Sequence, residues 1–535
     1  MIGAILFTTL AIILWMVYAY KSCLNWRTAA NLPPGPPGSR AFVGHYFLFN
    51  STAQVPVKKL AAFAADLGSV FTLKMGFRNL VVVNDFNSAV LVCKGHDFHD
   101  KPFSMLKFLH RNRGMVNAEG DTWYTNKKFC AKTLKEQGFG GRYSEQICSL
   151  EAKDYLEHLK TCCNKPYDFT RDLYEAVSNV VGTFLIGPIY KAKNLKANVP
   201  ELGQILAVFN QADPRGAAPE LQLLSLLSAS TRLPKLLMAY IKLKTFVNQL
   251  IEEARAARKD GEDACGVLGA YIGEKERIMK SRPNSANFFN CCKMFCQDAS
   301  KEDPVHNGST EDSVLADENQ MKTVASDILI GGVDTMTSAL SWIIYSLCKY
   351  PEMQKRIANE VEAEIGSKIQ PSFSDRNSMN FTRAFLYEVA RMYPAIAAQT
   401  VCSNKSDHDF CFSDGISIPK GTPVYINIWA ALRDPQMWKD PNVFHPERFL
   451  DSEMKFKKPG HPYNPFGFGK RMCLGEPLVM QMMFIFTTSL LQEFKVSFAD
   501  DNDTPALQPD DEEGEMGVSY FPRPFHIVLC KHPTI

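Results

Sequence analysis

Near its C-terminus the chain reads Phe466-Gly467-Phe468-Gly469-Lys470-Arg471-Met472-Cys473-Leu474-Gly475, one cysteine set among three glycines and two cations. Glycine lets a backbone turn tightly and come close to a flat group. A cysteine at a helix N-terminus near a cation has its thiolate form favoured, and thiolate is the form that ligates metal. The apolar run that follows, Leu478 to Leu491, is rich in Met and Phe and looks helical. A lone cysteine in a Gly-rich turn is usually an ordinary free thiol. Here Phe466, Gly469, Arg471, Cys473 and Gly475 also fall in a fixed spacing, which an ordinary turn does not require.

Working outward, the 535 residues carry ordinary apolar and charged fractions, 46% and 22%, as expected of a globular protein with a large core. No internal repeat and no long Pro/Ser linker divides them. The net charge of +2 gives no global attraction for nucleic acid, so any electrostatic partner must meet a local patch. The fifteen cysteines are odd in number and scattered, unlike a disulfide framework. Cys291, Cys292 and Cys296 have no second half at zinc-site spacing and read as unpaired loop thiols.

The N-terminus differs in kind. Ile2 to Tyr20 has no charged residue and spans about 28 Å as a helix, close to the thickness of a bilayer core. Trp15, Tyr18, Tyr20 and Trp26 gather at its far end, and Lys21 and Arg27 follow. This pattern predicts a transmembrane anchor over 1–21 with the rest of the chain in the cytosol. A cleaved signal peptide, with Val17-Tyr18-Ala19 at the cut, lacks the charged n-region. The sequons at Asn50, Asn307, Asn380, Asn404 and Asn502 would then stay unused. Pro33-Pro34-Gly35-Pro36-Pro37-Gly38 predicts a stiff hinge within 22–40.

Farther along, Phe71 to Met75 and Leu80 to Val83 predict a β-hairpin. Helical periodicity dominates from about Asp121 to Arg258, and polar Lys259 to Asn319 predicts loops around short helices. A long helix is expected from Met321 to Leu347, then turn-and-strand elements at Asp414 to Pro423 and Val518 to Leu529. The expected class is mainly α with small β-sheets. Gly331-Gly332-Val333-Asp334-Thr335 lies inside the long helix, where each glycine costs about 1 kcal/mol against Ala. Thr335 can bond back to the Gly331 carbonyl and bend the helix. Glu388 and Arg391 share a helix face, as do Trp123 and Lys127, and Lys128, Lys132 and Lys135 form a basic stripe. The acidic run at Asp510 to Glu515 reads as a solvated loop.

The Cys473 loop resembles the haem-binding loop of the cytochrome P-450 family, and the likeness runs from the anchor to the C-terminus. It implies the cytochrome P-450 fold over 41–535 as one catalytic domain, with haem b (iron protoporphyrin IX) between a long distal helix and the proximal cysteine loop and helix. Cys473 would be the axial iron ligand, with Phe466, Arg471 and Gly475 in the same loop. Asp334 and Thr335 match the acid-alcohol pair that relays protons in oxygen activation. Trp123 and Lys127 match a helix contacting the haem propionates, where the family usually has Trp-x-x-x-Arg. Lys127 keeps the charge but not the bidentate fork. Cys402 stands about where relatives offer His or Arg to a propionate. Glu388, Arg391 and Arg448, the last in Phe444-His445-Pro446-Glu447-Arg448-Phe449, match a buried structural network that locks the cysteine loop.

The resemblance implies a haem-thiolate monooxygenase inserting one oxygen atom of O2 into a lipophilic substrate, whether steroid, fatty acid or xenobiotic. A thiolate ligand favours O–O cleavage. No flavin or nicotinamide motif is evident, so electrons from NADPH would arrive through NADPH-cytochrome P-450 reductase, with cytochrome b5 as a second candidate donor. The lysine stripe is the candidate docking face. The expected location is the endoplasmic reticulum membrane, single-pass, with no nucleic-acid partner. Candidate pocket walls are Phe103 to Val116, the helix before Gly331, and Ala395 to Thr400, while Leu221 to Leu227 resembles the loop over the substrate channel. Two rivals remain: a haem-thiolate isomerase or dehydratase, which has no need of the Asp334-Thr335 pair, and a non-catalytic haem sensor or carrier.

Overall fold

The computed structural model describes residues 32–39, 44–45, 56–75, 78–94, 98–102, 107, 110–188, 190, 232–259, 266–281, 310–402, 409–412, 415–460, 462–499 and 514–532. The anchor, most of the hinge, Leu221 to Leu227 and the Cys291, Cys292, Cys296 group lie outside them.

Helix α1 (Pro56–Leu67) precedes strands β1 (Val70–Met75) and β2 (Arg78–Val83), followed by α2 (Phe86–Lys94), α3 (Gly120–Glu136), α4 (Arg142–Leu159) and α5 (Thr170–Ile186). Next come α6 (Arg232–Lys259), α7 (Val267–Ser281), α8 (Thr310–Ala316), α9 (Glu318–Leu329), α10 (Thr335–Lys349), α11 (Pro351–Glu364) and α12 (Asn380–Met392). Short strands β3 (Ala398–Val401), β4 (Phe410–Cys411), β5 (Ser417–Ile418) and β6 (Val424–Asn427) lead to α13 (Ile428–Ala431) and α14 (Glu476–Glu493). Strands β7 (Phe494–Phe498), β8 (Gly514–Met516), β9 (Tyr520–Pro522) and β10 (Ile527–Lys531) end the described chain. Helix predominates and the sheets are small, as expected from the sequence.

The predicted hairpin pairs antiparallel from Val70 opposite Val83 to Met75 opposite Arg78. It extends through β6 and β3 into a four-stranded sheet ordered β1-β2-β6-β3, with β6 parallel to β2. Helix α14 begins with Pro477 in its first turn and is buried on every side from Leu478 to Leu491. A helix apolar all round belongs in a core. Its buried Gln481 is satisfied by Ser144 Oγ at 2.5 Å and by the Gly141 carbonyl at 3.1 Å, which fastens it to α4.

The long helix expected from Met321 is present but interrupted. A π-helical turn, Ile330–Asp334, joins α9 to α10. The whole span Glu318–Lys349 is long and apolar enough to cross a membrane, yet two-thirds of its apolar window, 67%, is buried inside the protein, so it is a core helix. Strand β9 docks against it. The Tyr520 carbonyl accepts from Trp342 Nε1 at 2.6 Å and Ser338 Oγ at 2.5 Å.

The 259–319 region differs from expectation in one respect. Helix α7 is 15 residues long, because Val267, Leu268, Tyr271, Ile272 and Ile278 form an apolar face buried in the core. Polar residues around that face hid its periodicity.

Candidate active site

The cysteine loop is shaped by its glycines. Gly467 and Gly469 have φ of +88° and +66°, a region L-residues avoid. A Cβ on Gly467 would lie 2.6 Å from Gln399 Oε1, and one on Gly469 would collide with the Cys93 carbonyl. A short 3-10 turn, Gly469–Arg471, then brings Cys473 to the head of α14. The Cys473 amide donates to Phe466 O at 3.0 Å, closing the loop. Gly475 N–H donates to Cys473 Sγ at 3.2 Å, and the Glu476 amide points at the same sulfur. Surrounding protein pushes the thiol pKa up while these two amides pull it down.

Gln399 clamps the loop from outside. Its carbonyl accepts from Phe468 N at 2.8 Å and its amide donates to Phe468 O at 3.1 Å, while the buried Phe468 ring packs 5.5 Å from Phe86. The sequence suggested Gln399 only as part of a pocket wall; this pairing depends on the approach of β3, which no local pattern signals.

Arg471, Trp123 and Lys127 are brought together. The Arg471 guanidinium lies 4.2 Å from the Trp123 ring and donates to the carbonyls of His99 (2.6 Å), Met115 (3.0 Å) and Ala118 (2.6 Å). Lys127 Nζ sits 5.2 Å from the same ring and donates to the Lys470 carbonyl. A third cation was missed. Backbone pairing of Asp100 with Cys402 sets Lys101 beside Cys402, and Lys101 Nζ donates to Thr400 O at 2.9 Å. Burial lowers the pKa of all three cations, to about 8 for Lys101 and about 10 for Arg471. The Cys402 thiol is pushed up to about 12 by burial and is a neutral neighbour.

The distal residues diverge. Thr335 Oγ1 donates to Gly331 O at 2.5 Å, the back-bond expected from the sequence. Buried Asp334 turns elsewhere, taking hydrogen bonds from Tyr174 OH on α5 at 3.0 Å and from Ser519 Oγ. Tyr174 and Ser519 escaped sequence reading because their partner is 160 and 185 residues away. Gly331 faces open space, while Gly332 faces the methyls of Val181.

Glu388, Arg391 and Arg448 also meet. Arg391 forms a bidentate pair with Glu388 at 2.7 and 2.9 Å, both side chains fully buried, and reaches the carbonyls of Leu432 and Pro441 at 2.9 Å. Arg448 Nε joins Glu388 at 3.1 Å. On the stripe, Lys128 faces Glu311 at 3.4 Å and Lys132 faces Glu136 at 3.9 Å, so two of its three charges are partly offset.

A family model described as Cytochrome P450 matches residues 33–525. The chain belongs to the cytochrome P450 family. Similar proteins include cytochrome P450 2D27 of Mesocricetus auratus, 28% identical over 94% of this chain and 93% of that protein. Steroid 17-alpha-hydroxylase/17,20 lyase of Squalus acanthias is 29% identical over 86% and 85%, and cytochrome P450 2U1 of Mus musculus is 27% identical over 99% and 95%. As a cytochrome P450 the protein is a haem-dependent monooxygenase that oxidises a lipophilic small molecule with electrons from a redox partner. The isomerase and sensor alternatives are not favoured.

The residues fit haem. Lys101, Lys127 and Arg471 spend their hydrogen bonds on carbonyls, a cationic group that propionates would complete. A methyl built on Gly331 meets no atom within 4 Å, which leaves open space beside the π turn of this cytochrome P450.

Proposed function

We propose that Cys473 would supply the thiolate that holds the haem iron in a membrane-anchored monooxygenase. The observation that carries this reading is the sulfur's cradle: two amides aimed at Sγ, at the head of the buried helix α14, in a loop held by Gly467, Gly469 and Gln399. Amide donors stabilise a thiolate against protonation and tune how strongly it donates to a metal. Lys101, Lys127, Arg471 and Trp123 would hold the propionates, and the buried Glu388-Arg391-Arg448 network would keep the loop in register.

When bound, haem supplies dioxygen activation and the oxidising power. The chain supplies position and protons. Thr335 Oγ1, parked on the Gly331 carbonyl, keeps its lone pairs to accept from a water or substrate group. Asp334 has both oxygens engaged by Tyr174 and Ser519, so it would pass a proton only once one of those bonds opens. Until then it anchors the π turn to α5 and β9.

Residues 1–21 would anchor the protein in the endoplasmic reticulum membrane, 22–40 would act as hinge, and 41–535 as the cytosolic catalytic domain. NADPH-cytochrome P-450 reductase is the proposed electron donor, with cytochrome b5 as second donor. Steroids, fatty acids and xenobiotics are the proposed substrate classes, steroids supported by the shark relative's printed name. The test is Cys473→Ser: the variant should lose the red-shifted carbon-monoxide difference spectrum of a thiolate haem. A normal spectrum from it would sink the assignment.

A further inference from the structure

A cavity of about 180 Å3 opens between the 110–113 turn, the middle of α6 and the first turns of α9. It contains no residue of the cysteine loop or the π turn, and Thr335 lies about 13 Å beyond Ser326, its nearest lining residue on that helix, at roughly 1.5 Å per residue. Its walls include His110, Arg113, Tyr240, Lys244 and Lys322.

Charge at this site is unbalanced. Arg113 pairs with Asp317 at 2.9 Å. Glu318 is shared by Lys322 at 3.2 Å, Lys275 at 3.1 Å and Arg255 at 3.1 Å. Burial would raise the Glu318 carboxyl, yet these cations hold it at about 2. Lys244 faces the Tyr240 ring at 4.6 Å and has no carboxylate partner among the described residues. Arg255 is shared with Glu252 at 2.7 Å as well, so five cations meet three carboxylates, and of the three cations on the cavity wall, Arg113, Lys244 and Lys322, only Lys244 has no carboxylate of its own among the described residues. One wall is apolar: Val247 is buried, and the buried His110 ring stacks on Tyr240 at 5.8 Å. His110 Nδ1 has no hydrogen-bond partner among the described residues, and burial together with Lys244 lowers its pKa to about 4, so the ring is neutral at pH 7.

We propose that this cavity binds the carboxylate head of an amphipathic organic acid. The excess of cations selects an anion, and the Tyr240 and Val247 wall selects one that carries carbon. The volume is below the roughly 300–1,000 Å3 of pockets that enclose whole drug-sized ligands, so a head group enters rather than a complete lipophile. Occupancy is coupled to the catalytic side through one strap of chain. Gly114 N donates to Gln320, Met115 and Val116 N donate to Asp327, and the carbonyls of Met115 and Ala118 accept from Arg471. A head group beside Arg113 steadies that strap.

The test uses the full-length, haem-loaded protein, with octanoate, octanol and inorganic phosphate as calorimetric probes. Octanoate should bind at least ten times more tightly than either, and should protect 110–118 from hydrogen exchange. Lys244→Glu should weaken octanoate at least tenfold, and Asn248→Trp, from an exposed position on the cavity wall, should block it. Lys153→Glu, exposed on α4, should change nothing. Equal binding of octanol would show a merely apolar site, equal binding of phosphate a plain anion site, and octanoate binding indifferent to both variants a different location. Each of these overturns the proposal. The carbon-monoxide spectrum reports the Cys473 assignment separately, so the two readings fail independently.

Discussion

At the scale of single residues, charge taken out of water decides most of what this protein tolerates. Glu388 and Arg391 are fully buried and depend on each other's two hydrogen bonds. Removing one partner strands the other in low dielectric, which costs about 3–5 kcal/mol. Glu388→Ala should therefore lower the denaturant midpoint sharply and reduce haem incorporation, and a near-normal midpoint would show that Arg391 is held by the Leu432 and Pro441 carbonyls alone. Asp327 is the opposite case, a buried carboxyl with backbone donors but no cation partner among the described residues. Burial raises its pKa to about 7, despite the Val116 and Met115 amides pulling downward, against about 3.9 in the unfolded chain. The folded state thus binds the proton more firmly. Its contribution to stability is intact below about pH 4, falls as pH rises to about 7, and is level above. Nearby Cys130 and Tyr271 are pushed upward and titrate outside that window. Asp327→Asn keeps an acceptor oxygen but not the titration, so its stability should lack the wild-type decline between pH 4 and 7. Parallel unfolding curves for the two proteins would remove Asp327 from the account.

At the scale of elements, the π turn Ile330–Asp334 explains why two glycines sit inside a core helix. They do different things. A Cβ on Gly331 meets nothing within 4 Å, whereas one on Gly332 meets Val181 methyls at 3.0 and 3.1 Å. Gly331→Ala should keep or slightly raise stability, by up to about 1 kcal/mol from helix propensity. Gly332→Ala should lose about 1–3 kcal/mol from overpacking. Chemical denaturation separates them, and equal losses would mean the turn, not the packing, is what Ala disturbs. The same stretch marks what sequence could reach. The glycine pair, the Thr335 back-bond and the Cys473 spacing are local, so they were legible from adjacent residues. Glu388 and Arg391 were legible because i and i+3 share a helix face. Tyr174, Ser519, Gln399 and Lys101 were not, since each acquires its partner only when distant elements pack. Helix α7 was obscured for a related reason: its apolar positions are interrupted by the charged run Glu274, Lys275, Glu276 and Arg277.

At the scale of the whole molecule, the question is how electrons find the cysteine side of a nearly neutral protein. A net charge of +2 steers nothing by itself, so a local face must do so. Helix α3 carries Trp123 and Lys127 beside Arg471 of the cysteine loop and Lys128, Lys132 and Lys135 along its length. Not all of these cations are equally available. Lys128 and Lys132 have Glu311 and Glu136 at 3.4 and 3.9 Å, exposed pairs that hold little energy yet shorten the reach of each charge. If an acidic donor docks here, replacing all three lysines by Glu should slow reduction by the first electron several-fold at low salt. Lys135→Glu alone should cost more than Lys132→Glu, whose charge Glu136 already offsets. Steering acts on encounter more than on the final complex, and exposed charges are screened beyond about 10 Å at 0.1 M salt. The deficit should therefore shrink as salt is raised, with haem content and substrate binding unchanged throughout. Stopped-flow reduction is the measurement. Matching rates at low ionic strength would leave the stripe as a solvated helix face and move the search for the donor's footprint elsewhere on the molecule.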